Sequence, residues 1–385
     1  MKEKLLVIVR WMVGIVFIFS GFVKGIDPMG FQYKLNDYFE ALHLKFLDFF
    51  SFPGALIVPF AEFAIGIGLL TGVFIRLSTK LAVAFMLFFL PLTLYIALAN
   101  PVTDCGCFGD ALVISNWQTF YKNVVLIVLA VLLVINRKTL IFTASEKYRK
   151  IFFSILLIAY FSVIYWSYNH EPIIDFRPYK VGANIPDGMK IPEGAPTDVY
   201  RNIYFYRNRT SNEVKQFSDS DFPWQDTLNW KFEKMDAPLL IQQGYKPPIH
   251  DFSIQTINQD NVTDFYLQDS LFTFMVIAYD LAKSSNKHQK DLNLLANWAK
   301  NKNYHFIGLT STAGEGLKKF IEEQQPSYEM MLTDQITLKT IIRANPGLIL
   351  LRKGTVVAKW HYNDFPTPDE AEEIIRSEMN KKLNR

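Results

Sequence analysis

The sequence predicts a membrane all-α helical bundle followed by a soluble α/β domain. Three observations predict it. Hydrophobic residues make up 50% of the 385, yet the mean hydropathy is only +0.10. They are concentrated before about Trp166; after Tyr168 the chain is rich in Asp, Asn, Lys and Gln. The first part holds five long apolar stretches, and the end of the second alternates strand-like and helix-like runs. Net charge is +3, and no basic stripe is interleaved with aromatics, so no nucleic-acid partner is implied. Repeats of solenoid period and low-complexity tracts are absent.

The five spans are residues 5–22, 55–75, 81–99, 120–135 and 151–166. Crossing a hydrocarbon core of about 30 Å takes roughly 20 residues at about 1.5 Å each. The last two are short, but Trp117, Tyr121, Tyr160 and Trp166 suit the interface. Arg10, Trp11 and the lack of a small-residue cleavage site make the first a helix rather than a signal peptide. If five spans alternate, Lys2, Lys4, Arg10, Arg76, Lys80, Arg137, Lys138, Lys147, Arg149 and Lys150 fall on one side, while loop 100–117 has no Lys or Arg. The positive-inside rule then puts the N-terminus in the cytoplasm. Everything after Tyr168 lies outside. The lipid bilayer is thus one partner, and the expected location is a bacterial inner membrane, crossed several times, with a periplasmic C-terminal domain.

Between the first two spans, Phe31, Leu35, Phe39, Leu42 and Phe46 recur at helical spacing. An amphipathic helix in the outer interface is expected, or a re-entrant or packed segment.

The only cysteines are Cys105 and Cys107, in Asp104-Cys-Gly-Cys-Phe-Gly-Asp110 of the third loop. The predicted compartment permits disulfides. Asp104 and Asp110 are expected to raise the thiol pKa values. Three readings are open: a redox pair exchanging with a partner or a membrane quinone, a static disulfide pinning the loop, or a metal site. Two thiolates without a nearby His make an incomplete zinc site, so no metal is assigned. With no second cysteine pair in the chain, any exchange involves another molecule. Glu62 lies inside the second span, where a carboxylate costs about 2.5–3.5 kcal/mol on insertion scales. It is either a proton-coupled or quinone-contacting group, or the partner of Lys24 or Arg76.

The pattern Arg10-Trp-Met-Val-Gly-Ile-Val-Phe-Ile-Phe-Ser-Gly-Phe-Val-Lys24, with Asp27, Pro28 and Phe31, resembles the first helix of the DoxX/MauE membrane family. Glu62, Gly72, Arg76 and the Cys-Gly-Cys-Phe-Gly run strengthen the match. The resemblance covers residues 5–135, a four-helix unit to which the fifth span is an addition. MauE-like proteins are associated with methylamine dehydrogenase maturation and disulfide formation outside the membrane. DoxX-like proteins include a thiosulfate:quinone oxidoreductase subunit. The resemblance therefore implies redox chemistry and a quinone as one possible cofactor.

Prolines and glycines mark residues 168–248 as an extended arm. Within it, 203–206 and 213–217 read as a hairpin and 239–242 as a strand. Trp224, Trp230 and Phe232 are expected to form the core of this small module. Beyond it, 272–279 and 305–309 read as buried strands, 348–351 and 355–360 as a hairpin, and 287–300, 315–323, 337–343 and 368–379 as helices. Thr367 is a cap for the last. His288, His305 and His361 read as surface or packed histidines.

This order, with Ala344-Asn-Pro-Gly347 before the hairpin, resembles the thioredoxin-like superfamily over residues 250–379. The resemblance implies a cis Pro346 and a peptide-binding groove between it and the turn from Lys283 to Asn286. Where the family carries Cys-x-x-Cys, this chain reads Lys283-Ser-Ser-Asn286. The domain therefore has no thiol chemistry of its own.

The expected plan is a four-helix membrane domain at 1–140 and a fifth helix at 141–170. An arm with a β-rich module follows at 171–248, and a thioredoxin-like domain at 249–385. Cys105 and Cys107 are the expected exchanging groups, Glu62 a quinone-side residue, and Pro346, Lys283 and Asn286 the binding surface for an envelope protein partner. The alternative is a non-enzymatic scaffold with a structural disulfide, or a quinone-reactive or transport subunit.

Overall fold

The computed structural model describes residues 2–102, 104–140, 142, 144–242 and 244–383. It divides into two compact units: Met1–Asn184 together with Phe252–Arg385, and Ile185–Asp251.

The first unit opens with six helices: α1 (Lys2–Ile26), α2 (Pro28–Ala41), α3 (Ser51–Thr71), α4 (Ile75–Ala99), α5 (Asn116–Ile135) and α6 (Glu146–Asn169). All except α2 are long and apolar enough to cross a membrane, so this is a multi-pass membrane protein. The helices outrun the apolar stretches because polar residues extend their ends; Lys24 in the last turn of α1 is an example.

Helices α1 and α3 touch backbone to backbone. A Cβ on Gly21 would lie 2.6 Å from the Pro59 carbonyl oxygen, and one on Gly66 would lie 2.7 Å from that of Gly14. Small residues allow this approach, which sets Ser20 and Lys24 against Glu62. The fifth span, α6, is integral to the same packing. Tyr160 stacks on Phe63 with ring centroids 4.0 Å apart and donates a 2.5 Å hydrogen bond to the Gly21 carbonyl. Helices α4 and α5 join through Asn123 and Thr93, 3.2 Å apart.

Helix α2 starts as its sequence dictates. The Asp27 carboxylate accepts from the Gly30 amide at 2.8 Å, and Pro28 takes the first helical position. It stops earlier than the apolar stripe implies. His43 adopts a positive φ of 58°, and a 3-10 turn at Lys45–Phe50 carries Phe46 out to an exposed position. The helix is packed, with Gln32 donating to Ser51 of α3 at 3.3 Å.

The second unit holds a short helix α7 (Ile185–Met189) and strands β1 (Val199–Arg201), β2 (Tyr204–Asn208), β3 (Val214–Phe217), β4 (Trp230–Met235) and β5 (Leu239–Gln242). The expected hairpin is β2–β3, extended by β4 into an antiparallel sheet; β1 pairs with β5. Its core is Tyr206, with Phe217 and Trp230 ring to ring at 5.1 Å. Trp224 and Phe232 are not core residues, being 61% and 52% exposed. So small a sheet has no second layer to cover them.

The first unit resumes with α8 (Thr263–Leu267), β6 (Phe272–Ile277), α9 (Gln289–Asn301), β7 (His305–Thr310), α10 (Gly314–Gln324), β8 (Glu329–Leu332), α11 (Gln335–Ile341), β9 (Gly347–Arg352), β10 (Thr355–His361) and α12 (Pro368–Leu383). The sheet order is β10-β9-β6-β7-β8. Strands β6, β7 and β8 run parallel, while β9 is antiparallel to β6 and to β10. Every residue of β6 is buried, as a central strand covered on both faces requires. Leu292, Leu295 and Ala299 of α9 and Ile375 of α12 pack in the same core as Phe274, Leu348 and Leu350. The Asn345–Pro346 bond is cis and leads into β9. This is the thioredoxin-like fold.

Candidate functional site

Cys105 and Cys107 are disulfide-bonded in the loop between α4 and α5. Gly106 between them has a positive φ of 62°, and a Cβ there would sit 2.9 Å from the Lys34 side chain. Glycine thus supplies both the left-handed backbone and the space in which Lys34 of α2 lies across the loop. Lys34 ends on Asp104 at 3.1 Å, and Asp104 accepts from the Gly106 amide at 2.8 Å. Tyr38, also of α2, donates to the Cys105 carbonyl. Cys105 is 7% exposed.

Beneath the loop, the Lys24 ammonium is 2.8 Å from both Glu62 oxygens and 3.0 Å from the Ser20 hydroxyl. Ser20 lies 2.9 Å from the Cys107 carbonyl and 3.1 Å from Glu62. Its single proton serves one acceptor at a time, so Ser20 links the buried ion pair to the cysteine loop. Lys122 of α5 sits 4.3 Å over the Phe108 ring, next to Cys107 in sequence.

Two cavities flank the loop. The inner one, about 30 Å³, is lined by Cys107, Ser20, Lys24, Glu62, Lys122 and Phe89 among others. The outer one, about 100 Å³, is lined by Gly106, Lys24, Asp27, Asp110, Arg177 and Arg343 among others. Lys24 reaches both.

The outer cavity is roofed by the thioredoxin-like region. Arg343 lies 2.7 Å from Asp27 and 3.3 Å from Asp110. Tyr33 of α2 donates to Tyr279 at 3.0 Å, and Lys339 stands over the Tyr33 ring. Burial pushes the Asp27 carboxyl up, but Arg343 and Arg177 outweigh it and hold it below the usual range. For Asp110 burial wins over Arg343, and its carboxyl is raised. Burial also raises the Tyr33 and Tyr38 hydroxyls. The arm after α6 is anchored by Arg177, which is 2% exposed and ion-paired with Asp175 at 2.7 Å and Glu171 at 3.1 Å. Lys359 of β10 joins at 2.7 Å from Asp175. Against the opposing effect of burial, these two cations bring Asp175 down to about 2. Burial brings Lys359 to about 8.

The two aspartates flanking the cysteines each face a cation. Asp104 is paired with Lys34, and Asp110 is raised and faces Arg343. Those cations come from distant elements, and Lys24 and Lys122 line the cavity at Cys107. Glu62 is paired with Lys24, one of its two expected partners. Pro346 is buried. The turn from Lys283 to Asn286 does meet it, since the Ser285 amide donates to the Asn345 carbonyl at 3.0 Å. Lys283 is exposed and 3.3 Å from Asp280. The domain reaches the membrane helices through Tyr279, Lys339 and Arg343, which sequence reasoning missed, along with Ser20, Lys122, Tyr33 and Tyr38. Lys122 carries a legible signal, a charge inside an apolar run; the others carry none.

Residues 2–136 match the family described as methylamine utilisation protein MauE, a stretch that includes α1–α5 and the cysteine loop. No curated protein matches the chain. Solved structures similar to its C-terminal part include a thioredoxin-like protein from Aeropyrum pernix, 16% identical, covering 33% of this chain and 89% of its own, with a TM-score of 0.27. A thiol:disulfide interchange protein from a Bacteroides species is 19% identical and covers 32% of this chain and 84% of its own, at the same TM-score of 0.27. The assignment of the fold rests on the strand order and core given above.

Proposed function

We propose that this chain is a membrane-embedded thiol–disulfide exchanger whose centre is the Cys105–Cys107 pair. The observation that carries the reading is the position of that pair: its loop stands between an outer charged cavity and an inner polar cavity within the helices. A partner dithiol enters from the outer side. Its thiolate attacks one sulfur of the Cys105–Cys107 bond and forms a mixed disulfide, and its second thiol resolves that bond. The partner leaves oxidised; Cys105 and Cys107 hold the two electrons and two protons as thiols. A quinone that reaches the loop from the bilayer then takes both electrons and both protons, giving a hydroquinone and restoring the disulfide. Lys24 and Lys122 favour the thiolate of Cys107 and an anionic quinone intermediate alike. The Lys24–Ser20–Glu62 set offers a path for the protons.

In this reading the protein sits in a bacterial inner membrane with the cysteine loop and thioredoxin-like region on the periplasmic side, opposite the basic loops. The thioredoxin-like region is a docking module for an envelope partner. A second reading, a scaffold with a structural disulfide, is favoured by one observation: the thioredoxin-like region already holds the helices through Arg343 and Tyr279.

The test uses the purified full chain in nanodiscs. After reduction with dithiothreitol, added ubiquinone or menaquinone should reoxidise Cys105 and Cys107, followed by alkylation and mass. In cells, Cys105→Ser or Cys107→Ser should trap a partner as a mixed disulfide. A pair that stays reduced with both quinones, together with normal growth of the double Ser variant and no trapped partner, would falsify the exchange reading in favour of the scaffold.

A further inference from the structure

The opposite end of the bundle carries a feature that disulfide exchange does not use. Arg10, in the third turn of α1, is 6% exposed. Its Nε and Nη1 are buried, with no hydrogen-bond acceptor among the described residues. Its guanidinium lies 4.3 Å over the Phe142 ring, and Arg149 lies 4.8 Å over the same ring. Arg149 is held in place by backbone oxygens, Thr71 at 3.0 Å and Ala144 at 3.1 Å. Two cations therefore share one aromatic ring, and among the described residues neither has a carboxylate in ion-pair contact. Glu3 borders the site but is exposed.

A buried cation without a counter-ion is strongly unfavourable. A ring face compensates only partly, and it leaves the in-plane donors of Arg10 unused. Those donors suit a tetrahedral anion held in two-pronged fashion.

The surroundings name the rest of the ligand. Arg10 and Arg149 line a groove of about 920 Å³ formed by the starts of α1 and α6 and the end of α3. Lys4 and Tyr148 stand at its edge, and its walls are apolar, with Trp11, Leu70, Phe152 and Leu156 among them. Phe152 is 55% exposed on a helix long enough to span, so the groove opens sideways toward acyl chains. Arg76, Lys80, Arg137 and Lys138 lie at the same end of the bundle. A free phosphate would leave these apolar walls unused.

We propose that this groove is a binding site for an anionic phospholipid. Its phosphate sits on Arg10 and Arg149, and one acyl chain lies between α1 and α6. The site is independent of the cysteine loop, so it stands or falls separately from the exchange reading.

The test is native mass spectrometry of the full chain released from nanodiscs of phosphatidylcholine mixed with phosphatidylglycerol. The wild type should retain phosphatidylglycerol with about tenfold preference, the discrimination expected of charge-assisted phosphate contacts. The preference should vanish in Arg10→Gln and weaken in Arg149→Gln. Arg149 lies in the first turn of α6, so its variant reports even where Arg10→Gln fails to fold. Equal retention of the two lipids by the wild type would overturn the proposal, as would an unchanged preference in the variants. Release of the lipid by an equal concentration of inorganic phosphate would also overturn it, since the apolar walls would then contribute nothing.

Discussion

The two ends of the helix bundle handle buried charge in opposite ways, and helix α1 carries both. Near its end, Lys24 is 4% exposed and meets Glu62 at 2.8 Å. Near its start, Arg10 is 6% exposed and has only an aromatic face. At the cysteine end the cations find carboxylates from distant parts of the chain: Lys34 with Asp104, Arg343 with Asp27, Lys359 with Asp175. These pairs are arranged around the disulfide, where Lys122 also stands over the Phe108 ring. The basic end is incomplete, which is why it points to a ligand from outside the chain.

The largest expected effect comes from breaking the cysteine end at its deepest pair. Lys24→Met leaves the Glu62 carboxylate buried without a counter-ion. Removing one partner of such a pair costs about 3–5 kcal/mol, and the thermal midpoint in detergent should fall sharply. The double variant Lys24→Met with Glu62→Met removes both charges and should recover most of the loss. A Lys24→Met protein as stable as the wild type would show that Glu62 is protonated or solvated, and the contrast with Arg10 would collapse.

The next effect in size concerns the junction between the thioredoxin-like region and the cysteine loop. Arg343→Gln removes charge-assisted hydrogen bonds to Asp27, worth about 1.5–3 kcal/mol. Hydrogen exchange should rise in α2 and α11, and dithiothreitol should reduce Cys105–Cys107 faster, because Arg343 roofs the outer cavity. The pH dependence has a definite sign. Asp27 is held below its ordinary 3.8, so its contribution is complete above that value and is lost as pH falls through the lower native value. The junction should therefore loosen only in acid below about pH 4, and Asp27→Asn should abolish that dependence. Loosening that begins near neutrality would assign the junction to another group.

What the sequence disclosed of this arrangement follows a physical line. The spans and β6 were legible because long apolar runs have few other structures open to them. The Lys24–Glu62 pair was legible because a carboxylate inside a span needs a partner and few basic residues lie within reach. Strand β8, four residues with two methionines, was not: its pairing with β7 supplies what its composition lacks. The junction was not legible either. Asp27 and Arg343 are separated by 316 positions, and neither has a local pattern that announces the other. The groove between Pro346 and the turn from Lys283 to Asn286 was read as a binding surface. That its neighbours Tyr279 and Arg343 engage the chain's own helices is a fact of docking that no local pattern encodes.

The smallest expected effect tests whether distance or burial sets these energies. Lys45 and Glu40 are 2.6 Å apart, closer than Lys24 and Glu62, but both side chains are about two-thirds exposed. Glu40 is lowered chiefly by its hydrogen bond with Lys45. Solvent and salt screen such a pair, and holding two long side chains together offsets what remains. Lys45→Gln should therefore leave the thermal midpoint and the rate of disulfide reduction unchanged within error. A loss comparable to that of Lys24→Met would mean that the segment at Lys45–Phe50 lies in a low-dielectric environment. The difference between the two ends of α1 would then rest on which charges have partners, with depth in the membrane playing no part.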